Sequence, residues 1–114
     1  MHKLLAGDRV NSSELEKLLE ARKEGTVDFL LVDVREQYEY DAGHLEGVDM
    51  LNPTSSFSEW AQKLFTEEND KTIIFTCRTG SRSGQVQDVF RDNGHNRVIN
   101  HTGGIVSYRG KIER

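Results

Sequence analysis

Two short runs of apolar residues constrain the fold of this chain more than any other feature of its sequence. The first run occupies residues 27–34 (VDFLLVDV), and the second occupies residues 72–76 (TIIFT). Both are rich in β-branched residues, and neither shows the strict alternation of a strand with one face in water. Such runs are typical of strands that are buried on both faces, as in a parallel sheet.

Helical patterns flank and separate the two runs. Four helices are predicted, at residues 12–24, 36–42, 58–65 and 82–92, with Ser12 or Ser13 as the cap of the first. Weaker strand patterns occur at residues 2–5, 47–51 and 97–100, and a last short helical segment follows Gly103 and Gly104. This alternation predicts an α/β fold with a mostly parallel sheet of about five strands and helices on both faces.

Length and composition limit the classes of function. A chain of 114 residues predicts one domain over residues 1–114. The net charge of −4 argues against nucleic acid as a partner, because phosphate binding needs a basic surface. No run approaches the roughly 20 apolar residues of a membrane span, and residues 1–9 lack the apolar core of a signal peptide. We therefore expect no membrane partner and a cytoplasmic protein, or a periplasmic one if a leader has been removed.

Cys77 is the only cysteine, so it cannot form an internal disulfide or a cysteine-based zinc site. The histidines lack the spacing of metal ligands, and we expect neither a metal nor an organic cofactor. A lone cysteine can be an inert buried thiol. Cys77, however, lies between the second apolar run and the helix at residues 82–92. A loop in that position lies at the carboxyl edge of the sheet, where α/β proteins bind ligands.

The loop after Cys77 favours a reactive thiol. Its backbone N–H groups and the positive end of the following helix converge near the sulfur, and such surroundings lower the pKa of a thiol. We therefore expect Cys77 to be a nucleophile that solvent can reach, because a sulfur enclosed by aliphatic side chains could not react. The candidate substrate-binding residues are Arg78, Thr79, Gly80, Ser81 and Arg82.

Each loop residue has an expected role. Gly80 can adopt a positive φ without steric cost. The hydroxyl groups of Thr79 and Ser81 can donate hydrogen bonds, and Arg78 and Arg82 can bind a small anionic sulfur donor such as thiosulfate. The alternatives are that Ser81 only caps the helix and that the arginines are ordinary solvated side chains.

Four segments carry a resemblance to a known family. They are residues 30–48 (LLVDVREQYEYDAGHLEGV), 51–53 (LNP), 77–83 (CRTGSRS) and 103–105 (GGI). On these segments the chain resembles the rhodanese family, from about residue 13 to residue 109. The resemblance implies a five-stranded parallel sheet flanked by helices, with Cys77 as the nucleophile that forms a persulfide inside the loop of residues 78–82.

The resemblance also implies supporting residues. Asp33 and Arg35 match the acidic and basic residues of the first segment, and a buried pair between them would support the site. His44 is expected to be structural. Tyr108 stands where many relatives carry tryptophan, which we expect to change packing but not function.

The implied chemistry is transfer of a sulfane sulfur. Cys77 would take the sulfur from thiosulfate, polysulfide or a protein persulfide and pass it to a thiol or cyanide acceptor. A sulfur-relay protein is a further candidate partner. Four residues separate Cys77 from Arg82, whereas phosphatases of related fold have one residue more, so a phosphatase or arsenate reductase is disfavoured. The open alternatives are a persulfide carrier without turnover and a pure interaction module.

Overall fold

The computed structural model describes residues 2–114 and has an α/β architecture. The strands are β1 (Arg9–Val10), β2 (Leu30–Asp33), β3 (His44–Leu45), β4 (Met50–Leu51), β5 (Ile73–Thr76), β6 (Val98–His101) and β7 (Ile112–Glu113). Five of them form a parallel sheet in the order β1–β6–β5–β2–β4, whereas β3 and β7 form a separate antiparallel pair. The five-stranded parallel sheet confirms the predicted fold class.

Four α-helices connect the strands. They are α1 (Ser12–Lys23), α2 (Gln37–Ala42), α3 (Phe57–Glu67) and α4 (Ser81–Asp92). Short 3₁₀ helices occur at Lys3–Leu5, Thr54–Ser56 and Ile105–Ser107, and the last of these is the helical segment predicted after the glycine pair. Within residues 2–114, none of the helices combines the length and the apolarity that a membrane crossing requires.

The two faces of the sheet bury different side chains. On one face Leu31, Ile74 and Ile99 pack with the leucines of α1. On the other face Val32 and Phe75 pack with side chains of α3 and α4, of which Leu64, Val86 and Phe90 are buried. Successive side chains of each strand therefore point into two different cores. This explains why the apolar runs look nearly continuous in the sequence.

Two sequence expectations about local structure are wrong, and one strand was not predicted. Residues 2–5 form a 3₁₀ turn, not a strand, because the His2 ring accepts a hydrogen bond from the Leu4 N–H at 3.1 Å. The true edge strand, β1, has only two residues and shows no pattern that could predict it. Asn11, not Ser12 or Ser13, caps α1 and forms a capping box with Glu14.

The register of the central strands determines where the loop after Cys77 lies. Asp33 at the end of β2 pairs with Thr76 at the end of β5, and Phe75 pairs with Asn100 near the end of β6. Because the three strands are parallel, their carboxyl ends meet at one edge of the sheet. Cys77, the residue after β5, therefore begins its loop in the middle of that edge.

Candidate active site

The Cys77 sulfur lies inside a ring of hydrogen-bond donors. The Gly80 N–H donates to Sγ at 3.1 Å, and the Ser83 hydroxyl oxygen lies 3.3 Å from Sγ. Burial raises the pKa of the Cys77 thiol, but the Ser83 hydroxyl and three backbone N–H groups lower it, and the net pKa lies below its ordinary value. The three N–H groups belong to Ser83, Thr79 and Gly80. An apolar site would have raised the pKa instead.

The expectation that solvent reaches this thiol is wrong for the conformation described. Cys77 is only 1% exposed and belongs to the core cluster that also contains Val34 and Val86. The sulfur is nevertheless not surrounded by aliphatic groups alone, because polar hydrogens meet it from the loop and from the first turn of α4. Cys77 is therefore an enclosed thiol in a polar setting, which differs from both an inert core cysteine and an open nucleophile.

Gly80 gives the loop its tight curvature. Its φ of 97° is left-handed, and it is Gly80, not Ser81, that caps α4. A Cβ at this position would lie 3.1 Å from the Gly103 nitrogen and 3.3 Å from the His101 carbonyl oxygen. The predicted positive φ of Gly80 is therefore confirmed, and the loop packs too closely on the end of β6 to admit a side chain here.

A second backbone segment, residues 103–107, braces the loop from outside. The Ile105 N–H donates to the Cys77 carbonyl at 2.9 Å, and the Val106 N–H donates to the Arg78 carbonyl at 3.2 Å. In a planar trans peptide the C=O of one residue and the N–H of the next point in opposite directions. Holding the Arg78 carbonyl therefore turns the Thr79 N–H away from the brace, and this N–H is one of the groups that lower the thiol pKa.

Arg82 is held by an acidic partner that sequence reasoning missed. Its two terminal nitrogens donate to the Glu39 carboxylate at 2.7 and 2.9 Å. Hydrogen bonding to Arg82 lowers the pKa of Glu39 to about 2. The Arg82 charge still acts on the Cys77 sulfur, since that sulfur contributes to raising the pKa of Arg82. We expected the Arg82 guanidinium to be free beside the sulfur, but it forms an ion pair with Glu39 at the edge of the loop.

A buried ion pair behind the loop fixes the helix that carries Glu39. Arg35 donates to the Asp33 carboxylate, with Nη2 at 2.9 Å, and both residues are nearly inaccessible. The same guanidinium donates to the carbonyls of Glu39 at 3.3 Å and Gly43 at 2.7 Å. The structure therefore contains the buried pairing that was expected of Asp33 and Arg35.

Ser83 and Asn100 complete the surroundings of the sulfur. The Ser83 Oγ lies 2.6 Å from the Asn100 Oδ1, and the Asn100 Nδ2 donates to the Gly80 carbonyl at 3.1 Å. Ser83 was visible as the last residue of the loop motif. Asn100 is 17 residues further along the chain and had no local signal. The side chains of Arg78, Thr79 and Ser81 lie at the surface, so their predicted roles concern a bound substrate and not the resting thiol.

Comparisons with known proteins agree with this geometry. The sequence model of the rhodanese-like domain family matches residues 13–111. The chain belongs to the rhodanese-like family. Among curated relatives, tRNA uridine(34) hydroxylase of Citrobacter koseri is 30% identical over 108 residues, which are 92% of this chain and 29% of the relative. The corresponding protein of Escherichia fergusonii is 34% identical over 87 residues, 74% of this chain and 25% of the relative. The chain thus spans less than a third of these relatives.

Solved rhodanese-like structures share the fold. A rhodanese-related protein of Thermoplasma volcanium matches with a TM-score of 0.75 at 23% identity, covering 94% of this chain and 98% of that one. A rhodanese-like domain protein of Staphylococcus aureus gives 0.74 at 24% identity, covering 94% and 97%. A Rhodopseudomonas palustris protein described as a possible tyrosine phosphatase gives 0.74 at 24% identity, covering 95% and 86%. At these identities the likeness shows the rhodanese-like fold alone.

The close approach of Gly104 to the rhodanese loop generates the first prediction. Gly104 has a φ of 61°, and a Cβ there would overlap the carbonyl of Arg78 and lie 2.6 Å from that of Cys77. We expect Gly104→Ala to displace the brace, to lower stability by more than about 2 kcal/mol, and to raise the thiol pKa. Urea unfolding and the thiolate absorbance against pH measure the two effects.

The matched control is Gly94→Ala. Gly94 also has a positive φ, 99°, but a Cβ there would meet nothing within 4 Å. This variant should lose about 1 kcal/mol from backbone strain and keep the thiol pKa. Equal losses of unfolding free energy in the two variants would contradict the supporting role of residues 103–107.

The pair between Glu39 and Arg82 generates the second prediction. The pKa of Glu39 is about 2, against an ordinary 4.5. The pair therefore stabilises the fold fully above about pH 4.5 and progressively less as the pH falls towards 2. Glu39→Gln should weaken this acid dependence and cost about 1 kcal/mol at neutral pH, because both side chains are partly exposed. Urea unfolding at several pH values measures both, with the exposed Glu67→Gln as the control that should change neither.

Proposed function

We propose that this chain is a sulfurtransferase that works through a persulfide on Cys77. The observation that supports it best is a single thiol whose pKa is lowered despite burial, by donors from the loop and the first turn of α4. A thiolate is the nucleophile that a covalent two-step transfer needs, and a lowered thiol pKa favours its formation. Membership of the rhodanese-like family supports the same class of chemistry.

With thiosulfate as donor, the two steps balance as follows. The Cys77 thiolate attacks the outer sulfur, the new S–S bond forms, and sulfite leaves with the electron pair of the broken bond. The persulfide then carries one negative charge on its terminal sulfur. An acceptor thiolate or cyanide attacks that sulfur and releases the Cys77 thiolate, so no external oxidant or reductant is consumed.

The residues around the sulfur have distinct proposed tasks. The N–H groups of Thr79 and Gly80 stabilise the anion in both its thiolate and persulfide forms. The Ser83 hydroxyl lies between the Cys77 Sγ and the Asn100 Oδ1 and has one proton. It can donate that proton to whichever of the two atoms carries more negative charge. Arg82, fixed by Glu39, and the exposed Arg78 would bind the anionic end of the donor.

The enclosure of Cys77 favours a second candidate, a persulfide carrier. A sulfur that is 1% exposed is protected from small acceptors in water, which would suit delivery to a docked protein. The chemistry at Cys77 is the same in both cases. The difference is the rate with small molecules, so turnover with thiosulfate and cyanide separates the two.

The curated relatives named tRNA uridine(34) hydroxylase suggest where such a domain can occur. This chain corresponds to less than a third of their length, and we propose that the shared part supplies sulfur or thiol chemistry and not tRNA binding. The net charge of −4 supports this division, because tRNA binding needs positive surface. We expect no retention of tRNA by the chain alone at low salt.

The third prediction tests the persulfide. Incubation of the reduced protein with thiosulfate or polysulfide should increase the intact mass by one sulfur atom, and cyanide or dithiothreitol should remove it. Cys77→Ser should gain nothing. Because the chain has one cysteine, the added sulfur has a single possible location. Absence of the mass increase with every donor would refute both the enzyme and the carrier.

The fourth prediction concerns Arg82. Replacing it by alanine removes a charge-assisted contact to an anionic donor, and we expect kcat/KM for thiosulfate to fall about tenfold or more. The control is Arg91→Ala on the same helix, where Arg91 pairs with Asp8 at 3.1 Å. The Arg91 variant should keep its kcat/KM. Equal kinetics for the two variants would mean that Arg82 serves only to hold α2.

A further inference from the structure

A chain of polar side chains, all buried except Ser107, lies behind the catalytic loop and takes no part in the reaction described above. The Thr76 Oγ1 lies 2.8 Å from the His101 Nδ1, and the His101 Nε2 lies 2.8 Å from the Ser12 Oγ. The Ser12 Oγ lies 2.6 Å from the Ser107 Oγ, which donates to the Gly104 carbonyl at 3.0 Å. His101 is completely buried, and Thr76 is 1% exposed.

The direction of every hydrogen bond in this chain follows from its last member. A carbonyl only accepts, so the Ser107 hydroxyl gives its one proton to the Gly104 carbonyl. The Ser107 oxygen must then accept from Ser12. With its proton used, the Ser12 oxygen must in turn accept from the His101 Nε2–H.

The same reasoning fixes the state of the imidazole. If Nε2 holds the proton, Nδ1 of a neutral ring is an acceptor and receives the Thr76 hydroxyl proton. The neutral His101 ring therefore carries its proton on Nε2. Burial agrees with this state, because it lowers the pKa of His101 to about 4. Each group therefore donates a hydrogen bond to the next, in the order Thr76, His101, Ser12, Ser107 and the Gly104 carbonyl.

The two ends of the chain coincide with the two supports of the thiol. Thr76 is the residue directly before Cys77. At the other end, the Gly104 carbonyl belongs to the brace whose Ile105 and Val106 N–H groups hold the carbonyls of Cys77 and Arg78. His101 thus connects the strand that delivers Cys77 to the segment that orients its amide donors.

We propose that His101 is a positioning residue that keeps the Cys77 thiolate within reach of the N–H groups of its loop. It touches neither the sulfur nor a substrate. It acts by fixing Thr76 on one side and, through the two serines, the brace on the other. This role rests on the proposed function only in that the thiolate is the reactive group, and it can be measured without any sulfur donor.

The test is the ultraviolet absorbance of the thiolate against pH, corrected with Cys77→Ser. In His101→Leu the Thr76 and Ser12 hydroxyls lose their partner, and we expect the titration midpoint to rise by about one pH unit. His101→Gln can place an amide N–H near the position of Nε2 and should recover part of the shift. A folded His101→Leu protein with an unchanged midpoint overturns the proposal.

The matched control is His95→Leu. His95 is also buried, but its ring nitrogens contact the Glu68 carbonyl at 3.0 Å and the Arg97 N–H at 3.3 Å, and not the loop. This variant should lose stability and keep the midpoint. A similar midpoint shift in His95→Leu would show that the effect is general loosening of the fold and would also overturn the proposal.

Ser107→Ala is the second test variant, to be measured if His101→Leu does not fold. Ser107 is at the surface, and its loss breaks the link between Ser12 and the Gly104 carbonyl. We expect a midpoint shift in the same direction but smaller, and an unchanged midpoint overturns the proposal. Persulfide loading of wild-type protein, measured separately by mass, reports on the proposed function, so the two ideas fail independently.

Discussion

The active-site loop depends on backbone N–H groups that lower the pKa of a thiol that water does not reach. Cys77 is almost fully enclosed, and enclosure opposes the thiolate. The loop offsets this because its N–H groups already point at the sulfur, so no rearrangement is needed when the thiol ionises. The left-handed Gly80 and the closely packed Gly104 both serve that orientation, since neither position leaves room for a side chain. Without these N–H groups, burial would raise the pKa of the Cys77 thiol.

The charges around the loop show that backbone amides, and not guanidinium groups, surround the Cys77 sulfur. Arg82 is bound to Glu39 and Arg35 to Asp33, so both arginines act within neutral pairs. The two ion pairs are connected through α2. Arg35 donates to carbonyls in and just after this helix, and the helix carries Glu39. For the proposed anionic donor, the site therefore offers backbone dipoles, the ion-paired Arg82 and the exposed Arg78 rather than a strongly positive surface, as expected for a chain with a net negative charge.

The sequence predicted those features that arise from local chemistry. The two apolar runs became the central strands, and Cys77 and Gly80 lie as the strand–loop–helix pattern required. The edge strand β1 and the β3–β7 pair have two residues per strand and so carry no periodicity to detect. Glu39 is 43 residues from Arg82, and only the packed fold shows that they meet. The enclosure of the thiol was also hidden, because it depends on packing against side chains from other parts of the chain, such as Val34.

Sheet register explains why two consecutive residues of β6 support the sulfur from opposite sides. Successive side chains of a strand point to opposite faces. Asn100 lies on the α4 face and contacts Ser83, whereas His101 lies on the α1 face and contacts Ser12. A slip of one residue would exchange these faces and would also place the core side chains of β6 in the wrong one of the two cores. The register that buries Val98 and Ile99 is therefore the same register that supplies Cys77 with a polar support on each face of the sheet.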